Sequence, residues 1–292
     1  MDAQTLLLES LDSRWGQYRA DLKTCRSTLS EESVHDLRVA TRRLLALAEL
    51  LRAVMPHPGT KKLLIALKAQ LDRLDQLRDT QVLRIEISQN PDWQPELEPF
   101  RQHLERRECR LLRKAGQLIG TRRLGGLARR VRKVRERLEQ QEPGLGERTL
   151  QAVDKTYLSA ISRYRRIDPA RPDTIHHVRI AFKHLRYTLE TLYPLLGTFP
   201  EANLARMQAY QTQMGDIQNA EVFRRALARF GARKNRKVPR TLLRYCQQCR
   251  TRLIAAYMKN KGEIVTFWRP APDQPFPWEE PHEPVHRPPR HR

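Results

Sequence analysis

Two segments of the chain repeat each other about 140 residues apart, and this repeat constrains the fold more than any other feature. Residues 34–44 read VHDLRVATRRL, and residues 175–185 read IHHVRIAFKHL. A second pair of segments, residues 74–83 and 214–223, matches at nearly the same offset. Matching segments at one offset indicate the duplication of a structural unit. We therefore expect two related halves.

Helical periodicity extends along almost the whole chain. Apolar residues recur three or four positions apart, and no segment shows the sustained alternation of a strand. Long helices joined by short connections are typical of antiparallel bundles, so the repeat predicts an all-α fold of two antiparallel bundles, built as duplicated four-helix units. The predicted helices span residues 2–28, 32–55, 60–88, 95–119, 122–140, 147–166, 174–196, 199–230 and 237–266.

The pattern divides the chain into one helical domain and a short tail. The domain spans residues 1–267, with an N-terminal half at 1–140 and a C-terminal half at 147–267. Residues 268–292 are crowded with proline and histidine and have almost no aliphatic residues. Such a segment buries too little apolar area to offset the entropy lost on ordering, so we predict a disordered tail.

The chain is strongly basic. It has 55 lysine and arginine residues against 33 aspartate and glutamate residues, which gives a formal net charge of +22. The arginines of the predicted tail are balanced by acidic residues, so the excess belongs to the helical domain. A cationic surface attracts anions over several ångströms. The charge favours a phosphate polymer, a nucleic acid or an anionic membrane surface as the partner, and does not by itself choose among them.

Each copy of the repeated helix has an apolar face and a basic face. The apolar stripes consist of Leu37, Leu44, Ala48, Leu51 and Met55 in the first copy and of Val178, Leu185, Leu189, Leu192 and Leu196 in the second. The basic residues opposite them are His35, Arg38 and Arg42 in the first copy and His176, Arg179, Lys183 and Arg186 in the second. We expect the apolar stripes to form the core and the basic residues to be segregated from it.

The two basic faces suit a polyanion. Cations three or four positions apart on a helix stand roughly 5–6 Å apart at Cβ and repel one another. A bound polyanion removes this repulsion and adds charge-assisted hydrogen bonds. A charged face that simply meets water is the ordinary alternative, but such faces usually interleave acidic residues, and both copies lack them. His35 and His176 lie in first helical turns, where each could instead make only a local hydrogen bond.

These residues resemble the CHAD family, the conserved histidine α-helical domain. The residues that carry the resemblance are His35, Arg38, Arg42, Arg43 and Glu49, then His176, Arg179, Lys183, Arg186, Tyr187 and Glu190, and the turns at residues 78–79 and 214–219. The resemblance implies two four-helix bundles related by a pseudo-twofold axis, with a basic groove or pore between them. It also implies binding of inorganic polyphosphate and location at polyphosphate granules.

The resemblance assigns residues to this site. One wall would consist of His35, Arg38, Arg42 and Arg43, and the other of His176, Arg179, Lys183 and Arg186, with Lys68 and Arg78 as additions from the helix that follows the first copy. Two positions depart from the family pattern. His184 stands where a basic residue that matches Arg43 is often found, and Asn219 stands where an aspartate that matches Asp79 is found. The second wall is therefore expected to bind more weakly near neutral pH.

Nucleic-acid binding is the strongest alternative function. The sequence lacks zinc-finger spacing, RNP-like aromatic residues and a basic-zipper heptad array. The same cations could nevertheless hold a nucleic-acid backbone without sequence preference, so secondary nucleic-acid binding stays open. Catalysis is less favoured, because no Walker loop, GxSxG or HExxH motif is present. We expect no catalytic residue, no bound metal and no cofactor.

Other features favour a cytoplasmic protein. The N-terminus has no signal-peptide pattern, and no apolar run approaches the ~18 residues needed to span a bilayer, so we expect no membrane partner. The four cysteines, Cys25, Cys109, Cys246 and Cys249, are expected to be reduced thiols and not a zinc site. The sequence leaves the oligomeric state open.

Overall fold

The protein is all-helical in the computed structural model, which describes residues 2–89, 94–121, 124–140, 143–234 and 238–279. These residues contain nine α-helices, two short 3-10 turns and no strand, so the all-α prediction is confirmed. The helices are α1 Ala3–Ser27, α2 Glu31–Val54, α3 Pro58–Ser88, α4 Gln94–Thr121, α5 Gly125–Glu139, α6 Leu145–Tyr164, α7 Pro172–Leu192, α8 Glu201–Lys234 and α9 Arg240–Asn260. The 3-10 turns at Tyr193–Leu195 and Lys261–Thr266 explain why α7 and α9 end before their sequence-predicted limits.

Local sequence signals set several helix ends. The Asp2 carboxylate accepts a hydrogen bond from the Thr5 amide at the start of α1. Ser30 and Ser33 form a capping box at the start of α2, in which each side-chain oxygen accepts from the other residue's amide. Such caps satisfy amides that have no partner within the helix. The start of α2, which carries His35, is thereby fixed by the sequence itself.

The helices pack as two consecutive groups. Helices α1 to α5 pack on one another, with α5 against α1 and α3, and helices α6 to α9 pack in chain order. The groups meet where α2 packs against α6 and α7, where α3 packs against α8, and where α1 packs against α6. Helix α5 is additional to a four-helix unit in the first half, and the pseudo-twofold relation stays a prediction. The contacts place the two repeated helices, α2 and α7, side by side.

The predicted apolar stripes form the centre of the core. Leu37, Leu44 and Leu51 of α2 are fully buried, and so are Leu185 and Leu189 of α7. Full burial of such a side chain stabilises the fold by about 1.5–3 kcal/mol. These residues belong to one large cluster that both halves share. The shared core therefore holds the two repeated helices in one fixed arrangement.

A second, smaller core joins the far ends of the two halves. It includes Leu83 of α3, Phe100 of α4, Phe223 of α8 and Leu242 of α9. The rings of Phe100 and Phe223 meet edge to face with centroids 6.1 Å apart. Because this core packs α3 against α8, it holds the two helices that line the space between their middle sections.

Residues 268–279 fold onto the helical domain, so the predicted tail boundary at residue 268 is wrong. Trp268 is 0% exposed, and its Nε1 donates to the Asp154 carboxylate at 2.7 Å. Arg269 forms an ion pair with the same carboxylate at 2.8 Å. The prediction counted aliphatic residues, but the apolar area here comes from aromatic rings: Phe276 and Trp278 stack with centroids 4.8 Å apart and pack on the core. Residues 280–292 of the predicted tail lie outside the described residues.

None of the described helices combines the length and the apolar composition needed to cross a bilayer. The four cysteines are free thiols, with Cys25 and Cys246 buried and Cys109 exposed.

Candidate anion-binding cleft

A cleft of about 570 Å³ lies between α2 and α3 on one side and α7 and α8 on the other. Six of the ten sequence-predicted site residues line it, namely His35, Arg38, Arg42, Arg78, His176 and Arg179. The two copies of the repeated helix thus face the same space. We call this space the cationic cleft and define it by these six residues.

Arg38 is the most deeply placed cation of the cleft. It is only 3% exposed, its Nη2 donates to Asp75 Oδ1 at 2.6 Å, and its Nη1 donates to the Leu71 carbonyl at 3.3 Å. Arg186 of α7 is also buried, at 8% exposed. Both arginines are buried although the sequence places them on the faces opposite the apolar stripes. The physical reason is that α3 and α8 pack along α2 and α7 and supply polar partners that a single-helix projection does not contain.

Arg42 and Arg179 differ from Arg38, because neither forms an ion pair within the described parts of the chain. Arg42 is half-buried in the cleft wall, and the buried Nε of Arg179 has no hydrogen-bond partner among the described residues. A buried donor without a partner costs free energy that a bound acceptor could recover. Arg42 and Arg179 are thus two groups of the cleft, one from each half, that are free to take a ligand.

Helix α8 lets Arg179 lie close against it at Gly215. A Cβ added to Gly215 would stand 3.6 Å from Nε of Arg179 and 3.8 Å from its Nη2. These are ordinary contact distances, so an alanine would touch the guanidinium and a longer side chain would displace it. Gly215 therefore leaves the space that the Arg179 guanidinium occupies.

Lys183 lies near the cationic cleft without lining it. Burial, followed by the neighbouring charges of Arg42 and Arg179, lowers the pKa of Lys183 to about 7. Its Nζ stands 5.5 Å from the ring centroid of Tyr187. The lysine is thus poised between its charged and neutral forms near pH 7, because cations from both halves surround it.

Arg186 is held by its own surroundings. Its Nε donates to Gln211 Oε1 at 3.0 Å, its Nη1 donates to Gln208, and Nη1 also pairs with Glu190 Oε1 at 2.8 Å. Its guanidinium carbon stands 4.8 Å from the ring centroid of Tyr187. With Nε and Nη1 engaged by neighbouring side chains, Arg186 contributes positive charge to the site and helps to order α7 against α8.

Besides Lys183 and Arg186, two more of the sequence-predicted residues do not line the cleft. Arg43 is exposed, and its backbone carbonyl accepts a hydrogen bond from Arg14 Nη1 at 2.8 Å. Lys68 is exposed on α3 and does not line the cleft. The family pattern assigned Arg43 and Lys68 to the site by their sequence positions alone. Their side chains leave α2 and α3 in other directions than those of Arg42 and Arg78, which line the cleft.

The sequence reasoning missed three carboxylates that line the cleft, Asp75 and Asp79 of α3 and Asp216 of α8. Desolvation, followed by the neighbouring Asp75, raises the pKa of Asp79. Desolvation also raises the pKa of Asp216. The signal that could have found them is the second repeated segment, since Asp75 and Asp216 occur in its two copies. These groups lower the net charge of the cleft, and Asp75 holds Arg38 in place.

The two histidines of the repeat have different surroundings. His35 is exposed, whereas His176 is half-buried and its Nδ1 has no hydrogen-bond partner within the described segments. Burial, followed by the charge of Arg179, lowers the pKa of His176. His176 is therefore neutral at pH 7 and can donate one hydrogen bond to an anion without adding charge.

His184 and Asn219 are the positions that depart from the family pattern. His184 Nε2 stands 3.3 Å from Glu49 Oε2, so it links α7 to α2 instead of extending the cationic wall. Asn219 lines the cleft on α8. The weaker binding predicted for the second wall stays a prediction.

Comparisons with known proteins bear on the family and the fold of the chain. The family model of the CHAD domain matches residues 9–228. The chain is also similar to the crystal structure of the CHAD domain from the plant Ricinus communis, with a TM-score of 0.65 and 19% sequence identity over 90% of this chain and 89% of that chain. No curated protein matches the chain. The low identity means that the structural likeness supports the fold alone.

Proposed function

The chain belongs to the CHAD domain family, and from this membership and the cationic cleft we propose that it binds inorganic polyphosphate. The family is commonly linked to polyphosphate binding. The single observation that carries the proposal is the pair Arg42 and Arg179, which face one cleft from opposite halves and form no ion pair with a carboxylate in the described part of the chain. A ligand that bridges them would satisfy both.

The electrostatics of the cleft favour an anion with several charges. Burial, followed by the charges of Arg42 and Arg179, lowers the pKa of Lys183 to about 7, and burial, followed by the charge of Arg42, lowers the pKa of Arg179. A single small anion would neutralise only part of this repulsion. A chain of phosphates would place successive charges along the cleft and would accept paired hydrogen bonds from each arginine fork.

Arginines with partners and arginines without them would have separate roles. Arg38 is held by Asp75 and orders the floor of the cleft, whereas Arg42 and Arg179 would contact phosphate oxygens. The neutral His176 would add a hydrogen bond. Binding and not catalysis is the proposed activity, because the cleft supplies charge and donors around a phosphate chain and no aimed nucleophile has been identified among its described residues.

The test compares two double variants that remove equal charge. Arg42→Ala with Arg179→Ala removes the free arginines of the cleft, and Arg129→Ala with Arg132→Ala removes two exposed arginines of α5. Polyphosphate affinity should fall by about 100-fold or more in the first variant, since charge-assisted contacts contribute roughly 1.5–3 kcal/mol each, and by only a few-fold in the second. Titration calorimetry at fixed salt measures both.

Equal losses in the two variants would mean that binding is diffuse, and the proposed cleft would be rejected. The affinity of the wild-type protein should also fall steeply with salt, because neutralised phosphates release counterions. A nucleic-acid backbone is the competing ligand. Long-chain polyphosphate in excess should displace DNA, and displacement in the reverse order would favour the nucleic acid. We also propose a cytoplasmic location at polyphosphate granules, which fluorescence microscopy of the tagged protein would test.

A further inference from the structure

A second cleft of about 490 Å³ lies between α4 and α8. It adjoins the cationic cleft, since Asp79 and Val222 line both. We call it the α4–α8 cleft. Its volume falls within the range of roughly 300–1,000 Å³ that is typical of small-molecule sites.

The rim of the α4–α8 cleft is cationic. Helix α4 contributes Arg107, Arg110 and Lys114, and helix α8 contributes Arg229 and Arg233. None of these five forms an ion pair in the described portion of the chain, although other α4 arginines do, such as Arg101 with Glu98 and Glu105. Asp79 is the only acidic residue among those that line the cleft within the described residues. The rim therefore offers unpaired charge to an anion.

The floor of the same cleft is apolar and aromatic. The half-buried ring of Phe230 forms part of this floor, and its centroid lies 5.2 Å from that of Phe100 and 5.2 Å from that of His103. Leu104 and Leu111 continue this surface. Inorganic polyphosphate has no apolar atoms that such a floor could desolvate. An occupant that uses both floor and rim must carry an apolar, preferably planar, body together with anionic groups.

We propose that the α4–α8 cleft binds a nucleoside polyphosphate, with the base against Phe230 and the phosphates at Arg107 and Arg110. A nucleotide combines a planar base that stacks on an aromatic ring with phosphates that match the arginine fork. This inference does not depend on polyphosphate binding in the cationic cleft. It adds a second ligand class to the protein.

The test compares ATP with inorganic tripolyphosphate, which has three phosphates but no base or ribose. Both are titrated into the Arg42→Ala/Arg179→Ala variant, so that the cationic cleft contributes little to either. ATP should bind more tightly than tripolyphosphate by roughly five- to 100-fold, which is the range expected for base stacking on an aromatic side chain. Calorimetry gives the affinities, and thermal unfolding checks that each variant is folded.

Three further variants locate the site. Phe230→Ala should reduce the affinity for ATP to that of tripolyphosphate, and Phe230→Leu, which keeps an apolar side chain in the packed wall, should lose part of the preference. Arg110→Ala, at an exposed position, should weaken both ligands alike. Equal affinity for ATP and tripolyphosphate in the starting protein would overturn the proposal, and so would a preference for ATP that survives in Phe230→Leu undiminished. If polyphosphate binding failed while the ATP preference stood, only the function proposed for the cationic cleft would be rejected.

Discussion

The pKa of Lys183 leads to a prediction about how polyphosphate affinity depends on pH. In the free protein, burial and the charges of Arg42 and Arg179 lower this pKa from 10.5 to about 7. A bound polyanion would favour the protonated lysine. Below pH 7 the lysine already carries its proton, so binding needs no proton uptake. Above pH 7 binding must take up one proton, and the affinity should fall as the pH rises.

The magnitude follows from linkage. One proton taken up on binding lowers the affinity by up to about tenfold for each pH unit between the free and the bound pKa. From pH 7 to pH 9 the wild-type protein should therefore lose up to about 100-fold in affinity. Burial, followed by the charge of Arg179, lowers the pKa of His176 in the free protein, so this histidine is neutral before binding across the same pH window. The ionic strength must be constant across the series, since salt also weakens the binding.

Calorimetry at pH 6, 7, 8 and 9 in buffers of different ionisation enthalpy measures both the affinity and the number of protons taken up. Lys183→Met removes the titrating group and should bind weakly at every pH, with almost no slope above pH 7. Lys68→Met removes an exposed lysine outside the cationic cleft and should keep the wild-type slope. A wild-type affinity that is constant from pH 6 to pH 9, or a slope that persists in Lys183→Met, would refute the reasoning.

Two other predictions concern the C-terminal segment and α8. Trp268→Ala should lower the free energy of unfolding by about 3–5 kcal/mol in urea denaturation, because it removes a fully buried ring and leaves Asp154 without its indole donor. The control is Trp278→Ala, which removes a half-buried ring. A loss in Trp268→Ala no larger than in this control would contradict the packing described for residues 268–279. Gly215→Leu should displace the Arg179 guanidinium and weaken polyphosphate binding by about tenfold, the effect of losing roughly one hydrogen bond. Gly215→Ala should leave binding within about twofold, since its Cβ would only reach contact distance; equal effects of the two substitutions would show that the position of Arg179 does not matter.

The sequence predicted the helices well because their signals are local. The apolar spacing of Leu37, Leu44 and Leu51, and its copy in α7, depends only on the 3.6-residue turn of one helix. The caps at Asp2 and Ser30 act within a few residues. The duplication then indicated that the two basic helices belong to related units.

The composition of the candidate site could be predicted only in part. His35, Arg42 and Arg179 line the cleft as the repeat pattern suggested. Asp79 and Asp216 were not predicted as site residues, because they lie on α3 and α8, which line the other sides of the cleft. A helix projection of α2 or α7 contains no information about which neighbour packs beside it.

Amphipathic helices can be read from the sequence, because hydrogen bonds within a helix and the periodicity of its side chains need no distant partner. Which cations are buried, which are free and which point away depends on how the helices pack. Arg38 is fixed by Asp75 from the next helix, and Trp268 is fixed by Asp154 more than a hundred positions earlier in the chain. Burial and the pairing of charges depend on residues that meet only when the helices pack, so these properties arise from the assembled fold.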